Sequence, residues 1–564
     1  MIRTGYLKKY AKGLLEELEN SLEKPIVKDD SVLWLKDNKN RIINLCTSLI
    51  REIPNKRLPS QDGEIRVLEL ARELVEQTGG CVNKETVLLT ERFNLTFEEY
   101  DFLPVALKIF LLRLINKMAK GEENSAYIPN AVRSLILFAD IRFDELRSKC
   151  LKQENALMSD EVFAMSDAQT QCLYREKIGE IARKSDLTEM EICARASEFA
   201  EGVTENLFGK NRRLFLEQVG AKEGFILQNG KKLYFFGIFA LVLLFSFAVA
   251  QASASILGKV LLVVVSMAPI IVTAVNLING IFLKFLPAKP PMRIKEELVD
   301  EPKNKTAVVQ TVLVPSCKAA EESVKSIEEY YLGNRLENGA YLLLADLSES
   351  NTKTTPQDEK IIQVLKDKTE KLNKKYGDRF SLIVRHRQER DGIFSGWERK
   401  RGAIEELVTF ICEKQANFRT GVNLNKLEGV KYICTLDADT VILPDSIKRL
   451  VAVLAHPVNK LKIYSCGVSG YGLVQPRIDN APCRQTLFGK IMSPITGIDS
   501  YCFEGVLLFQ YGADHERRVS GFKRRDALPR RSRFRPAGET DGEKRREVRG
   551  GFHRRRSCDR GVDG

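Results

Sequence analysis

Apolar positions follow three different patterns along the chain. Over residues 1–230 they recur at three- and four-residue spacing, as in Leu107, Phe110, Leu111 and Ile115. This spacing is typical of amphipathic helices, and Pro and Gly residues between the runs separate one helix from the next. The pattern predicts an all-helical domain, and nothing in it resembles a catalytic cluster.

Two long apolar runs come next, at residues 233–253 and 261–285. About twenty apolar residues are enough for a helix to cross a bilayer. Lys231 and Lys232 precede the first run, and several lysines and arginines follow the second. Since positive residues stay on the cytoplasmic side, we expect a transmembrane hairpin over 231–286 with a cytoplasmic domain at each end. The alternative is one hairpin buried in a soluble core.

Beyond residue 300 the pattern changes to short apolar runs that alternate with helical stretches. Runs rich in β-branched residues are typical of strands, and their alternation with helices predicts an α/β domain with a mostly parallel sheet. We place this domain at residues 300–505. The four predicted strands lie at 306–316, 341–350, 379–386 and 429–440.

Acidic residues stand at the ends of two of these strands. Asp346 ends the second, and Asp437 and Asp439 end the fourth in the string TLDADT. Ligands of such sheets bind beyond the carboxyl ends of the strands. Two carboxylates spaced by one residue suit a divalent cation that keeps room for phosphate oxygens, and Asp346 suits a base or a ribose. The alternatives are a turn-forming Asp346 and a two-Asp turn that caps the next helix.

The string GWERKRGA (396–403) carries Trp397, Arg399, Lys400 and Arg401. Its cations suit a diphosphate or an acidic partner, although the start of a solvated helix has the same composition. Gln475 and Arg477, in a short QPR string, indicate nothing alone.

The charge balance changes this picture little. The formal net charge is +13, and residues 511–564 hold 17 Lys and Arg against 9 Asp and Glu. The small positive charge that remains outside this segment is ordinary for a membrane protein and does not require a nucleic-acid partner. The twelve cysteines include no CxxC pair, which argues against a disulfide scaffold.

The strings LLLADL, GWERKRGA, TLDADT, VQPRI and SPITGID occur in this order. With them, residues of about 40–505 resemble the bacterial cyclic β-1,2-glucan synthases. The resemblance implies a Rossmann-like glycosyltransferase domain of the GT-A type, incomplete in this chain. It also implies a transferase that uses UDP-glucose and a divalent metal, Mg²⁺ or Mn²⁺, to build a β-1,2-linked glucan that is closed into a ring.

The resemblance also assigns residues. Asp346 corresponds to the nucleoside-binding acid, and Asp437 and Asp439 to the pair that binds metal and diphosphate. Further candidates for contact with the nucleotide sugar, without a firm role, are Trp397, Arg399, Arg401, Gln475 and Arg477. The partners implied are UDP-glucose, a glucan acceptor and the lipid bilayer, with no nucleic acid. The location implied is the bacterial inner membrane, with several spans.

The chain departs from the family after about residue 505. Residues 511–564 contain 15 Arg and 2 Lys, and no helical or strand period continues there. We expect 506–564 to be a frameshifted or mispredicted, disordered tail; the competing interpretation is a basic tail that binds anionic lipid or nucleic acid. The family's general base lies further on, so no catalytic residue is assigned. An inverting transfer needs that base, and we expect nucleotide binding without turnover.

Three other functions stay open on sequence grounds. One is another processive membrane polysaccharide synthase, such as a cellulose-like enzyme. Another is a non-catalytic, membrane-anchored protein that binds nucleotide sugars. The last is a basic nucleic-acid binder that acts through the tail.

Overall fold

The computed structural model describes residues 1–23, 29–199, 202–209, 211–221, 225–285, 291–415, 418–464, 467–476 and 487. Contacts between residues divide the chain into two units. The first unit contains Met1–Thr306, Leu332–Asn338 and Val441–Ser520. The second contains Ala307–Tyr331 and Gly339–Thr440, and it holds all three predicted acids.

The first part of the first unit is helical. Its short strands are β1 (Ile2–Arg3), β2 (Arg57–Leu58), β3 (Ser60–Gln61) and β4 (Glu64–Ile65). Its helices are α1 (Gly5–Glu23), α2 (Asp30–Asp37), α3 (Lys39–Glu52), α4 (Arg66–Gln77), α5 (Lys84–Leu88), α6 (Phe97–Lys120), α7 (Ile128–Ile136), α8 (Phe143–Cys150), α9 (Lys152–Met158), α10 (Glu161–Met165), α11 (Ala168–Ala182), α12 (Glu189–Glu198), α13 (Gly202–Leu207) and α14 (Arg212–Gln218). Single 3₁₀ turns lie at Leu89–Phe93, Ser125–Tyr127 and Leu137–Asp140.

Helix α6 is the centre of this region. It buries side chains around most of its circumference because α1, α3, α4 and α7 all pack against it. A capping box starts it: Thr96 Oγ1 accepts from the Glu99 amide at 3.2 Å, and the Glu99 carboxylate accepts from the Thr96 amide at 2.9 Å. Such a box satisfies amides that have no partner inside the helix. The prediction of a helical first region is confirmed.

Two helices follow, α15 (Phe225–Ala250) and α16 (Ile256–Phe285). Within them Lys232–Ala250 and Ile256–Ile281 are long and apolar enough to cross a membrane. The second helix begins at Ile256, five residues before the predicted run, and its first turn therefore includes Lys259. The helices pack closely where Gly237 faces Ile278, leaving no room for a Cβ atom. The Tyr234 hydroxyl donates to Asn279 Oδ1 at 2.8 Å.

The second unit is built on a five-stranded sheet of order β10-β7-β6-β5-β11. Strands β6 and β7 are parallel, and β10 is antiparallel to β7. The elements are β5 (Thr306–Val314), α17 (Cys317–Gly333), β6 (Gly339–Leu347), α18 (Pro356–Tyr376), β7 (Phe380–Arg385), β8 (Arg387–Arg390), β9 (Ile393–Gly396), α19 (Arg399–Glu413), β10 (Phe418–Val422) and β11 (Tyr432–Asp437), with a 3₁₀ turn at Leu424–Leu427.

The four predicted strands all lie in this sheet, as β5, β6, β7 and β11. Their apolar side chains are buried, and Val309, Leu342, Leu344 and Ile383 pack with Leu407 of α19 in one core. The edge strand β10 was not predicted. Its sequence, FRTGV, is short and partly polar, so it lacks the apolar run that marks a buried strand. An edge strand can have such a sequence because it is not enclosed by neighbours on both sides. The predicted α/β sheet is therefore confirmed as a mixed one.

A hairpin of β8 and β9 was also not predicted. Its strands pair from Arg387 opposite Gly396 to Arg390 opposite Ile393. Asp391 and Gly392 form the turn with φ of 53° and 78°, and an Asp-Gly pair with positive φ at both residues is the usual two-residue hairpin turn. The hairpin returns the chain to β6 at Gly396.

The first unit also contains segments from later in the chain. These are the 3₁₀ turns Glu296–Asp300, Pro302–Asn304 and Pro457–Asn459, helix α20 (Ser446–Ala455) and the strands β12 (Lys462–Tyr464) and β13 (Gly467–Ser469). The Asn459 side-chain amide donates to the Met292 carbonyl at 2.7 Å, and the Ile294 amide donates to the Ala452 carbonyl at 3.1 Å. These bonds attach the segment that follows α16 to α20 and to the turn after it.

Candidate functional site

The site begins with Asp346, the penultimate residue of β6. Its side chain is 13% exposed, and Arg385 Nη1, from the end of the neighbouring strand β7, donates to Asp346 Oδ1 at 3.0 Å and Oδ2 at 2.9 Å. Burial raises the pKa of the Asp346 carboxyl, and the Arg385 charge acts in the opposite sense. Asp346 is therefore a nearly buried acid with a fixed cationic partner.

Arg385 has further partners on its other nitrogens. Its Nε and Nη2 donate to the two carboxylate oxygens of Glu406, at 2.9 and 3.0 Å. Its Nη2 and Nη1 also donate to the carbonyls of Trp397 at 2.8 Å and Arg399 at 3.1 Å. A planar guanidinium with several fixed donors suits such a junction. Arg385 thus ties β6, α19 and the loop before α19 together.

The loop that Arg385 holds has an unusual backbone. Glu398 and Arg399 both have φ of 46°, in the left-handed region that non-glycine residues seldom adopt. Each such backbone conformation costs about 1–3 kcal/mol and persists only where the surrounding contacts hold it. The two carbonyl bonds from Arg385 supply that hold, so the start of α19 is set by long-range contacts rather than by local propensity.

Two glycines of the GWERKRGA string sit where a side chain has no room. A Cβ atom on Gly396 would lie 2.7 Å from the Asp346 carboxyl carbon, and one on Gly402 would lie 2.0 Å from the Trp397 carbonyl oxygen. Both distances are well below van der Waals contact. The string therefore packs directly on Asp346, which explains why glycine stands at these two positions.

The cations of the same string differ in their contacts. The Lys400 ammonium contacts Asp437 Oδ1. By contrast, Arg399 pairs with Glu349 at 3.1 Å and Arg401 with Glu398 at 3.4 Å. Of the three, Lys400 is the one that reaches the two-Asp motif. Its position connects the acid at the end of β11 with the loop that covers Asp346.

The two-Asp motif lies at the end of β11 and in the turn that follows. Asp437 is the last strand residue, and Asp437, Ala438 and Asp439 are all exposed. The Thr440 amide donates to the Asp437 carbonyl at 3.1 Å, which closes the turn. The Tyr330 hydroxyl donates to the Thr440 carbonyl at 2.6 Å. The turn thus presents two carboxylates on a held backbone.

The carboxylates of the two-Asp motif suit a divalent metal only if a ligand supplies further oxygens. Among the described residues, no group of three or more His, Cys, Asp and Glu side chains forms a ready metal cluster. A Mg²⁺-like cation, however, commonly binds through one or two carboxylates plus substrate phosphates. Asp437 and Asp439 are the two carboxylates that would supply such ligands.

A second ion-pair cluster holds the loop after β6. Arg387 donates to Asp358 at 2.6 and 2.9 Å and to the Ser348 carbonyl at 2.6 Å, and Arg419 donates to the same Asp358 at 2.9 Å. Although burial acts to raise it, these bonds hold the pKa of Asp358 well below its usual range. The loop that follows Asp346 is therefore tied to α18 and β10.

The remaining candidates are Trp397, Gln475 and Arg477. The Trp397 side chain is partly exposed, and its carbonyl rather than its ring takes part in the contacts above. Gln475 is exposed in the first unit, and Arg477 and the tail at 506–564 lie outside the described residues.

Sequence reasoning missed Arg385, Glu406 and Tyr330 altogether. Arg385 follows the apolar run FSLIV and resembles the polar residue that ends a strand. Its partners Asp346 and Glu406 lie 39 and 21 residues away. A buried arginine at the end of a predicted parallel strand is the one signal that could have pointed to it, because charged residues are rarely buried without a partner.

The structure thus shows an α/β domain in which acids and a lysine cluster at the ends of the strands, on a chain that also carries two candidate membrane helices. No protein-family model matches the chain. It is 27% identical to the cyclic β-(1,2)-glucan synthase NdvB of Rhizobium meliloti (strain 1021) over 430 aligned residues. The match covers 69% of this chain and 15% of the relative. The similarity confirms the resemblance to the cyclic β-1,2-glucan synthases, of which this chain spans a small part.

Proposed function

We propose that this chain carries the donor-binding part of an inverting glycosyltransferase, with a GT-A type domain that binds UDP-glucose for β-1,2-glucan synthesis. The observation that carries the proposal is one loop with two contacts. Gly396 packs on Asp346, and four residues later Lys400 contacts Asp437. The predicted nucleoside acid and the predicted diphosphate acid therefore face the same short segment.

The diphosphate would lie at the start of α19. The first amides of a helix have no partner inside it and favour an anion. Lys400 contacts Asp437, and its ammonium would bind the diphosphate oxygens when the donor binds. Lysine suits this role because its charge is compact and its stem is flexible.

Asp437 and Asp439 would hold a divalent cation through carboxylate oxygens, with the diphosphate completing its ligands. When bound, the cation supplies neutralising charge to the leaving diphosphate. Asp346 would accept hydrogen bonds from the base or ribose while Arg385 keeps its carboxylate in place. An inverting transfer also needs a base that deprotonates the acceptor hydroxyl, and we assign none among the described residues.

The membrane completes the proposal. The helices Lys232–Ala250 and Ile256–Ile281 would form the transmembrane hairpin, with the helical region and the donor site on the cytoplasmic side. A bilayer anchor would keep the growing glucan at the membrane. A supply of donor from the cytoplasm is what this orientation requires.

A binding experiment tests the proposal. The full chain in lipid nanodiscs is titrated with UDP and UDP-glucose in the presence of Mn²⁺ or Mg²⁺, with ADP-glucose as the competing nucleotide sugar. We expect Asp439→Ala to weaken UDP binding at least about tenfold, as loss of a charged ligand contact does, and Asp378→Ala, an exposed carboxylate before β7, to leave it unchanged. Equal affinity of wild type and Asp439→Ala for UDP would contradict the proposal.

A further inference from the structure

Tyr330, near the end of α17, is buried against the two-Asp turn. The residue is 6% exposed. Its hydroxyl oxygen lies 2.6 Å from the Thr440 carbonyl and 3.3 Å from the Asp437 carbonyl. Since a hydroxyl has one proton, it donates mainly to the nearer oxygen. The hydroxyl therefore contacts the backbone at both ends of the turn that presents Asp437 and Asp439.

We infer that Tyr330 is a positioning residue that fixes the two-Asp turn. The role in donor binding rests on the proposed function; the hold on the turn does not. The turn is exposed and contains no glycine, so a bond from the protein interior restricts the directions in which its two carboxylates point. A cation and diphosphate then bind to carboxylates that are already aligned.

Tyr330→Phe in the full chain, in lipid nanodiscs, tests this inference. Tyr376→Phe is the matched control, because the Tyr376 hydroxyl donates to Glu328 at 2.7 Å on the same unit but away from the turn. We expect Tyr330→Phe to raise hydrogen exchange of the Thr440 amide about tenfold and to weaken UDP binding with Mn²⁺ about fivefold to tenfold, as loss of one hydrogen bond does.

The outcomes separate the inference from the proposed function. Unchanged Thr440 exchange in Tyr330→Phe overturns the inference, whether or not UDP binding falls. Faster exchange with UDP affinity equal to that of Tyr376→Phe removes the role in donor binding. A wild-type chain that does not bind UDP contradicts the proposed function, while the exchange comparison still decides whether Tyr330 fixes the turn. Unfolding midpoints of the two Phe variants show whether any loss is a general loss of stability.

Discussion

Arg385 Nη1 donates to both carboxylate oxygens of Asp346, at 3.0 and 2.9 Å, across neighbouring parallel strands. The same guanidinium binds Glu406 and the carbonyls of Trp397 and Arg399. The acid that the resemblance predicts as a nucleoside ligand is thus paired with the residue that holds the segment carrying Lys400. One residue pair therefore joins the predicted ligand contact to the support of this segment.

Replacing Arg385 tests this joint role. Arg385→Met would leave two largely buried carboxylates without their cation, and breaking a buried pair in this way costs about 3–5 kcal/mol. We expect a lower free energy of unfolding in urea, together with loss of UDP binding. Arg390→Met is the control, since Arg390 is 78% exposed and such surface changes stay within about 0.5 kcal/mol. Equal midpoints for the two variants would show that Arg385 does not hold the loop.

Gly396 tests the packing on Asp346 without removing a charge. A Cβ atom there would lie 2.7 Å from the Asp346 carboxyl, so Gly396→Ala must shift the loop or the acid. Overpacking of this kind costs about 1–3 kcal/mol. We expect the free energy of UDP binding to weaken by more than the free energy of unfolding. Gly333→Ala is the control, because a Cβ atom on Gly333 meets nothing within 4 Å. Full UDP affinity in Gly396→Ala would argue against a fixed loop.

Lys400 separates the diphosphate from the nucleoside. We expect Lys400→Met to weaken binding of UDP about tenfold, as loss of a charge-assisted hydrogen bond does, and to leave uridine binding unchanged. Isothermal titration with both ligands measures the difference. Lys414→Met is the matched control, since Lys414 lies at the other end of α19 and pairs with Glu428 at 2.8 Å. An equal loss for uridine and UDP would place Lys400 outside the diphosphate site.

The elements of the second unit could be predicted from the sequence to a large extent. Strands such as β6 and β7 are continuous apolar runs, and a buried strand of a parallel sheet must be apolar on both faces. The two acids of TLDADT could also be predicted to lie at a strand end, because they directly follow such an apolar run. These features depend on local pattern, which a single sequence carries.

The support of the site could not be predicted in the same way. Arg385 and Asp346 lie 39 residues apart, and Tyr330 and Thr440 lie 110 apart. Such pairs depend on which strands become neighbours, and the sequence pattern leaves that choice open. Composition did not distinguish the three cations of GWERKRGA, and the candidates named for the nucleotide sugar were Arg399 and Arg401, whereas Lys400 is the one that contacts Asp437.

The first unit offers a pH test that is independent of the ligand site. His456 is fully buried, its Nε2 lies 3.0 Å from Ser166 Oγ, and its Nδ1 accepts from the Val458 amide at 3.3 Å. Burial lowers the pKa of His456 to about 4, and Asp167 opposes this only in part. Below the ordinary histidine pKa of about 6.5, the unfolded chain takes up a proton that the folded chain excludes.

Stability should therefore fall as the pH falls from about 6.5 toward 4 and stay level above that window. Between pH 7 and pH 5 the contribution of His456 amounts to a loss of about 2 kcal/mol in the free energy of unfolding. Urea unfolding of the wild type and of His456→Gln at both pH values measures it. We expect the variant to lose less on acidification than the wild type, because its side chain does not titrate. An identical loss in the two proteins would mean that His456 is already protonated, or free to protonate, in the folded chain.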